Sequence, residues 1–379
     1  MAMPFRLKLQ GPFWRDERLW RWVWQLLVLL VVGLGAIWLV DNLVYNLSQR
    51  GLSLSFDWLD QSAGFNIGES AIAYRTADSY ARALVVGLVN SLRVIAIGLI
   101  LTTVIGTLAG VAAFSENWLL RQLSRGYVAV VRNTPLLLQL IVWYFPILLS
   151  LPAAQQPWHW LGSLYLSKQG IYLPWPQTPG WLVVILAIAL VLFVSWLAQR
   201  QRSPRDWRWL YGAIAVVTVL MLLTQLSWPQ QLQPGQIRGG LRLSLEFTAL
   251  LLGLVAYTGA FITEIIRGGI LSVPAGQWEA AAALGLTRSQ TLWQIVVPQA
   301  LRVIVPSLNS QYVGFAKNSS LAIAVGYPDL YATAQTTLNQ TGRPVEVFLI
   351  LMLTYLAINA VISAGMNGLQ QRLQRWGVR

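Results

Sequence analysis

The chain has 379 residues, 56% of them hydrophobic and 11% charged, where a soluble domain carries about 25% charged residues. Cys is absent and His159 is the lone histidine, which removes disulfide frameworks, Cys/His metal sites, Cys nucleophiles and His-based triads, so no catalytic residue, metal or cofactor is expected. The formal charge is +13, yet the basic residues sit between long apolar runs instead of lining one patch, which points to a membrane and away from nucleic acid.

A helix needs about 20 mostly apolar residues to cross a bilayer, and eight runs meet that need, near residues 22–43, 92–114, 127–149, 180–197, 209–226, 243–266, 303–325 and 347–366. The first is longer than the apolar region of a signal peptide and lacks a small-x-small cleavage pattern, so it is expected to remain as an anchor. Arg6, Lys8, Arg15, Arg18 and Arg21 precede it, and Arg200, Arg202, Arg205 and Arg208 separate the fourth and fifth runs. Both stretches belong in the cytoplasm. Eight crossings bring the C-terminus, with Arg372, Arg375 and Arg379, back to that side. The expected fold class is an all-α integral membrane protein with eight transmembrane helices and cytoplasmic N- and C-termini. In that arrangement, with Arg132 and Arg302 counted on the inner side, the cytoplasmic segments hold 18 Lys and Arg against five acids, a difference equal to the whole +13. The charge is an orientation signal.

Taken in chain order, residues 1–80 read as a cytoplasmic arm, the first span and an acidic outer loop. Residues 81–150 carry the second and third spans. Near the inner end of the third, Arg132 and Thr134 read either as a positive-inside anchor and a helix N-cap before Pro135 or as groups on a substrate path, with Gln139 one turn further on. Residues 151–240 hold a Trp- and Pro-rich outer stretch and two further spans; Trp158 to Trp181 reads as an extended loop whose indoles form an interfacial belt. In the sixth span, Glu264 with Arg267 is expected to be structural, whereas Glu246 with Thr248 suits either a substrate ammonium or an interhelical contact.

Residues 267–298 form a distinctive inner loop. Pro274 and Gly276 are expected to end the preceding helix, 277–284 is an Ala-rich helix former, Gly285 stops it, and Thr287 or Ser289 caps the next piece before Pro298. The seventh span carries the densest polar set, Asn309, Gln311, Lys317, Asn318, Ser319 and Ser320. Lys317 suits either a substrate carboxylate or a pairing with a neighbouring helix, and Pro306 and Gly314 would permit a broken helix. Each of the three lysines follows Leu7, Ser167 or Ala316, so the Gly-Lys core of a phosphate-cradling P-loop is absent and ATP is not bound by that device.

Glu279-Ala280-Ala281, then Gly285, Ile295 and Pro298, resembles the EAA loop of ABC importer permeases, with Val297 in place of the usual Leu. Val131-Arg132-Asn133-Thr134-Pro135-Leu136-Leu137-Leu138-Gln139, the stretch from Ala260 through Arg267 to Ile270, and Lys317-Asn318-Ser319-Ser320-Leu321 further resemble the polar amino acid uptake branch, in particular the larger general L-amino-acid permeases. The likeness covers residues 84–145 and 241–370. It implies a five-helix permease core with three additional helices, a coupling loop at 267–298 that docks on two copies of a separate ABC ATPase subunit, and a related second permease chain. It also implies a periplasmic or lipoprotein amino-acid-binding protein, an amino-acid substrate and a bacterial inner membrane, whose lipid surrounds the chain. The residues alone leave a second class open, an ion-gradient-driven secondary transporter or channel. Such a protein needs intramembrane acids, of which only Glu246 and Glu264 qualify, and the 267–298 pattern has no second copy.

Overall fold

The computed structural model describes residues 17–49, 54–160, 163–176 and 226–375. The expected fourth span lies outside these residues, as does nearly all of the fifth. Five described helical stretches are long and apolar enough to cross a membrane, and a bent pair makes a sixth candidate. The first stretch lies in α1 (Glu17–Gln49), which has no buried residue among those described. A helix apolar all round and with none of its described residues buried suits lipid or a neighbouring chain.

The packed centre is built from α2 (Tyr80–Ala112) and α5 (Leu245–Leu271), which make the most extensive helix pair. Lipid tails are as apolar as leucine, so close approach and dispersion, more than burial from water, must hold such a pair together. Glycines supply the approach. A Cβ at Gly106 would lie 2.6 Å from Cβ of Ile262, and one at Gly110 would lie 2.7 Å from Cβ of Ile266.

The third expected span is not straight. α3 (Trp118–Arg132) and α4 (Leu136–Val142), the latter continued by a π-helical turn through Leu148, meet at 104°. The 13 residues of the second arm reach only about 20 Å, short of the roughly 30 Å hydrocarbon core. Pro135 forces the break, because its ring disfavours helical backbone at Thr134. Thr134 therefore does not cap α4. Its hydroxyl donates back to the Val130 carbonyl at 2.8 Å, and Pro135 occupies the N-cap position. Gln139 staples the corner, its amide donating to the carbonyls of Val131 and Thr134, both at 2.9 Å.

The stretch read as an extended outer loop contains β structure instead. β1 (Trp158–Trp160), β2 (Leu164–Ser167) and β3 (Gly170–Leu173) form an antiparallel sheet. Two short pieces, β4 (Trp175–Pro176) and β5 (Leu226–Ser227), pair separately, β6 (Gln230–Gln233) and β7 (Gln236–Arg238) make a hairpin, and β8 (Leu241–Leu243) joins β3 at the sheet's edge. The two-residue turn Lys168-Gln169 sets the β2–β3 register, and Gly170 is needed where an added Cβ would meet the Leu243 carbonyl at 2.6 Å. The sheet thereby fixes the chain as it enters α5 at its N-cap, Ser244.

After α5 come α6 (Ala275–Ala283), the short α7 (Arg288–Thr291), a π-helical turn (Leu292–Val296) and α8 (Val297–Asn318). α8 runs unbroken through Pro306 and Gly314, so the break those residues would permit is not made there; the helix tightens instead into a 3₁₀ turn at Ser319–Val325. α9 (Leu330–Thr341) was not anticipated, its Thr- and Gln-rich composition giving no apolar run. It lies directly on α2, where a Cβ at Gly87 would meet Thr333 Oγ1 at 2.7 Å and the Asp329 carbonyl at 2.8 Å. α10 (Pro344–Arg375) closes the bundle against α8.

Candidate functional site

The loop joining α5 to α8 is shaped by local backbone chemistry. α5 stops at Leu271, earlier than Pro274, and Gly276 sits inside α6 instead of ending the previous helix. Val273 is buried and Pro274 opens α6. At the far end Gly285 adopts φ 73°, the Gly285 amide donates to Ala282 O at 2.9 Å, and the Leu286 amide donates to Ala281 O at 3.1 Å. That pair of bonds is a Schellman turn, which needs a left-handed residue at Gly285. Two residues on, Thr287 and Gln290 form a reciprocal capping box: the Thr287 amide donates to Gln290 Oε1 at 2.9 Å and the Gln290 amide to Thr287 Oγ1 at 3.4 Å. Both ends of the turn are closed without outside help.

Two side-chain contacts hold this unit to the bundle. Gln299 Nε2 donates to Gln277 Oε1 at 3.2 Å and to Ile295 O at 2.9 Å, tying α6 to the first turn of α8. Arg288 reaches Glu116, just before α3, at 2.7 Å. Of the six residues assigned to this surface from sequence, Glu279, Ala280, Gly285 and Pro298 are exposed and Ile295 is half-buried. Ala281 is fully buried, so it packs the loop and presents nothing outward. The outward apolar groups are ones that sequence reasoning passed over: Leu284, 79% exposed, and Trp293, 60% exposed. Glu279 makes no ion pair among the described residues.

The polar residues of the spans fall into separate groups. Glu246, in the first turn of α5, accepts from the Tyr144 hydroxyl at 2.9 Å, and buried Thr248 donates to Ser244 O at 2.7 Å. Ser319 is buried and donates to Ala316 O, and Ser320 donates to Lys317 O, both at 2.8 Å, so the two hydroxyls tighten the end of α8. Asn318 and Gln311 are half-buried, and Asn309 Oδ1 is buried without a hydrogen-bond partner in the chain. Lys317 is exposed and makes no ion pair among the described residues. Towards the other end of α5, Glu264 pairs bidentately with Arg267 at 3.1 and 3.0 Å, as expected, and Arg132 stands 3.8 Å from the same carboxylate with its guanidinium over the Phe261 ring. Arg132 thus belongs with Glu264 and not with the Lys317 group.

A buried polar junction also went unread. Asp329 caps α9 through the Ala332 amide at 2.8 Å and lies 3.4 Å from the Tyr355 hydroxyl. Burial pushes its carboxyl up from 3.8 to about 7.

Residues 209–375 match the family described as binding-protein-dependent transport system inner membrane component. YhdX of Escherichia coli (strain K12), named for amino-acid ABC transporter permease function, is 42% identical over 93% of this chain and 93% of its own length. The chain belongs to the binding-protein-dependent inner-membrane permeases of the polar and general L-amino-acid ABC transporter family. Two further relatives of this permease are each 37% identical. The general L-amino acid transport system permease protein AapQ of Rhizobium johnstonii is matched over 96% of this chain and 93% of its own. The glutamate/glutamine/aspartate/asparagine transport system permease protein BztB of Rhodobacter capsulatus is matched over 90% and 91%. The permease is a multi-pass inner-membrane subunit, not an enzyme: ATP is hydrolysed on a separate ATPase, and a binding protein delivers the substrate.

Proposed function

We propose that this permease subunit of an ABC amino-acid importer forms its path together with a second, related permease chain, and that residues 267–298 are the cytoplasmic coupling loop resting on one of two ATPase copies. Residues 81–150 and 241–379 make the permease core in this reading, and residues 1–80 and 151–240 are additions to it. The substrate class follows the names of the relatives, which carry general L-amino acids or glutamate, glutamine, aspartate and asparagine.

The observation that carries the proposal is the self-closed α6–Gly285–α7 unit with Ala280, Leu284 and Trp293 outward. Exposed apolar groups on a rigid turn are expected to be covered by a partner. Motion imposed on α6 would pass to α8 through Gln277 and Gln299, and to α5 through Val273. From α5 it would pass to α2 at Gly106 and Gly110, where the contact leaves no slack. Helices packed that closely shift as a body instead of deforming. Lys317, exposed on α8, is the candidate for a substrate carboxylate at the face towards the second chain, with Asn309, Gln311 and Asn318 on the same helix.

The chain has no cysteine, so Ala280→Cys introduces a single thiol. It should cross-link to a cysteine on the ATPase in the assembled transporter, with a yield that changes on ATP binding. Lack of cross-linking in a complex that still hydrolyses ATP would remove the loop from the interface.

A further inference from the structure

A cavity of about 410 Å³ lies where α3 crosses the end of α5, walled by Ser124, Arg125 and Ala129 on one side and by Glu264, Arg267 and Leu271 on the other. Its charges do not balance. Arg125, Ala129 and Arg132 share one stripe of α3, being four and three residues apart. Arg132, beside the cavity, and Arg267, in its wall, both approach Glu264, at 3.8 and 3.0 Å, so the one carboxylate is already shared by two guanidinium groups before Arg125 is counted. Arg125 is exposed and has no ion pair among the described residues. The other polar lining groups are spent inside the chain: Ser124 donates to Ala109 O at 2.8 Å and Thr263 to Gly259 O at 2.8 Å. Ala129 is the residue whose small side chain keeps the space between the two arginines of the stripe open.

We propose that this cavity binds the phosphate headgroup of an anionic phospholipid. A surplus of guanidinium groups in a pocket between membrane helices suits a phosphodiester, which Arg grips with paired N–H donors. What favours a lipid over a free anion is the surrounding surface. Trp118, two helical turns before Arg125 on the same side of α3, and Leu271 in the cavity wall are both at least 60% exposed. Acyl chains attached to a headgroup in the pocket would lie against these side chains. Placing the pocket in the cytoplasmic leaflet rests on the orientation proposed above; the presence of the pocket does not.

The test is retention of lipid by the assembled transporter, read by native mass spectrometry after purification from bilayers containing equal phosphatidylglycerol and phosphatidylcholine. Wild type should keep phosphatidylglycerol in preference. Arg125→Gln should weaken that retention about five-fold, the effect of one basic residue at a lipid surface, and Arg125→Lys should restore most of it. Ala129→Leu removes the space while leaving every charge, and should lose the preference as well. Equal retention of the two lipids, or wild-type retention in both Arg125→Gln and Ala129→Leu, would overturn the proposal. Displacement of the lipid by millimolar inorganic phosphate would assign the pocket to a free anion instead. The readout needs no transport, so its failure is separable from failure of the coupling-loop reading.

Discussion

Replacing Gly285 separates backbone strain from steric hindrance. At φ 73° the position is left-handed, and an added Cβ meets nothing within 4 Å. A substitution here therefore costs only what its own backbone costs. For alanine that is roughly 1–2 kcal/mol, less for asparagine, which tolerates the region, and more for a β-branched residue. The strain is shared between unwinding the turn, with loss of the Gly285–Ala282 and Leu286–Ala281 hydrogen bonds, and weaker docking. Roughly 1–2 kcal/mol is thus a ceiling, equivalent to about a five- to thirty-fold weaker ATPase affinity. Titrating the ATPase onto the detergent-purified permease should rank the affinities glycine, asparagine, alanine, valine, from tightest to weakest. Wild-type affinity in Gly285→Val would refute the argument, because it would mean that the turn is not held in this geometry when docked.

Gly106→Leu should lower the melting temperature by an amount worth about 1–3 kcal/mol, since even its Cβ would sit 2.6 Å from Ile262. Gly126→Ala, in α3 with open space around it, should hold or raise it; equal behaviour would disprove the close α2–α5 contact. Asp329 ionises near pH 4 in the unfolded chain but at about 7 in the fold. Its contribution is therefore fully present below about pH 4 and falls as pH rises to about 7, by on the order of 4 kcal/mol. Asp329→Asn keeps the cap and should flatten the melting temperature between pH 4.5 and 8, whereas a slope equal to wild type would place the titration elsewhere. Lys317→Gln should raise the transport KM about ten-fold or more, the value of a charge-assisted hydrogen bond, with Lys317→Arg closer to wild type. An unchanged KM would discard Lys317 as a carboxylate ligand.

Features fixed by a few adjacent residues were legible without coordinates. Gly285, Thr287 and the Glu264–Arg267 pair act over three or four positions, and the structure places each as the local chemistry required. Direction was harder. An apolar run through residues 127–149 says nothing about whether the chain turns at Pro135, although the residue pair Thr134-Pro135 carried the signal. Rotation about a helix axis was harder still: four consecutive alanines give no amphipathic phase, so the burial of Ala281 could not be told from the exposure of Ala280. Lys317 is exposed in the chain for a similar reason, because its position depends on which face of α8 the bundle covers. The β2–β3 hairpin was hidden by its Trp- and Pro-rich setting, though Leu-Tyr-Leu and Ile-Tyr-Leu flank its turn.

Uptake of a labelled L-amino acid into proteoliposomes tests the central claim most directly. The vesicles would contain this permease, its permease partner and the ATPase, with the binding protein outside and ATP inside. The account predicts uptake that needs all four proteins and ATP, and that persists when ion gradients are collapsed. Uptake by this chain alone, driven by an ion gradient with no ATPase present, would contradict it.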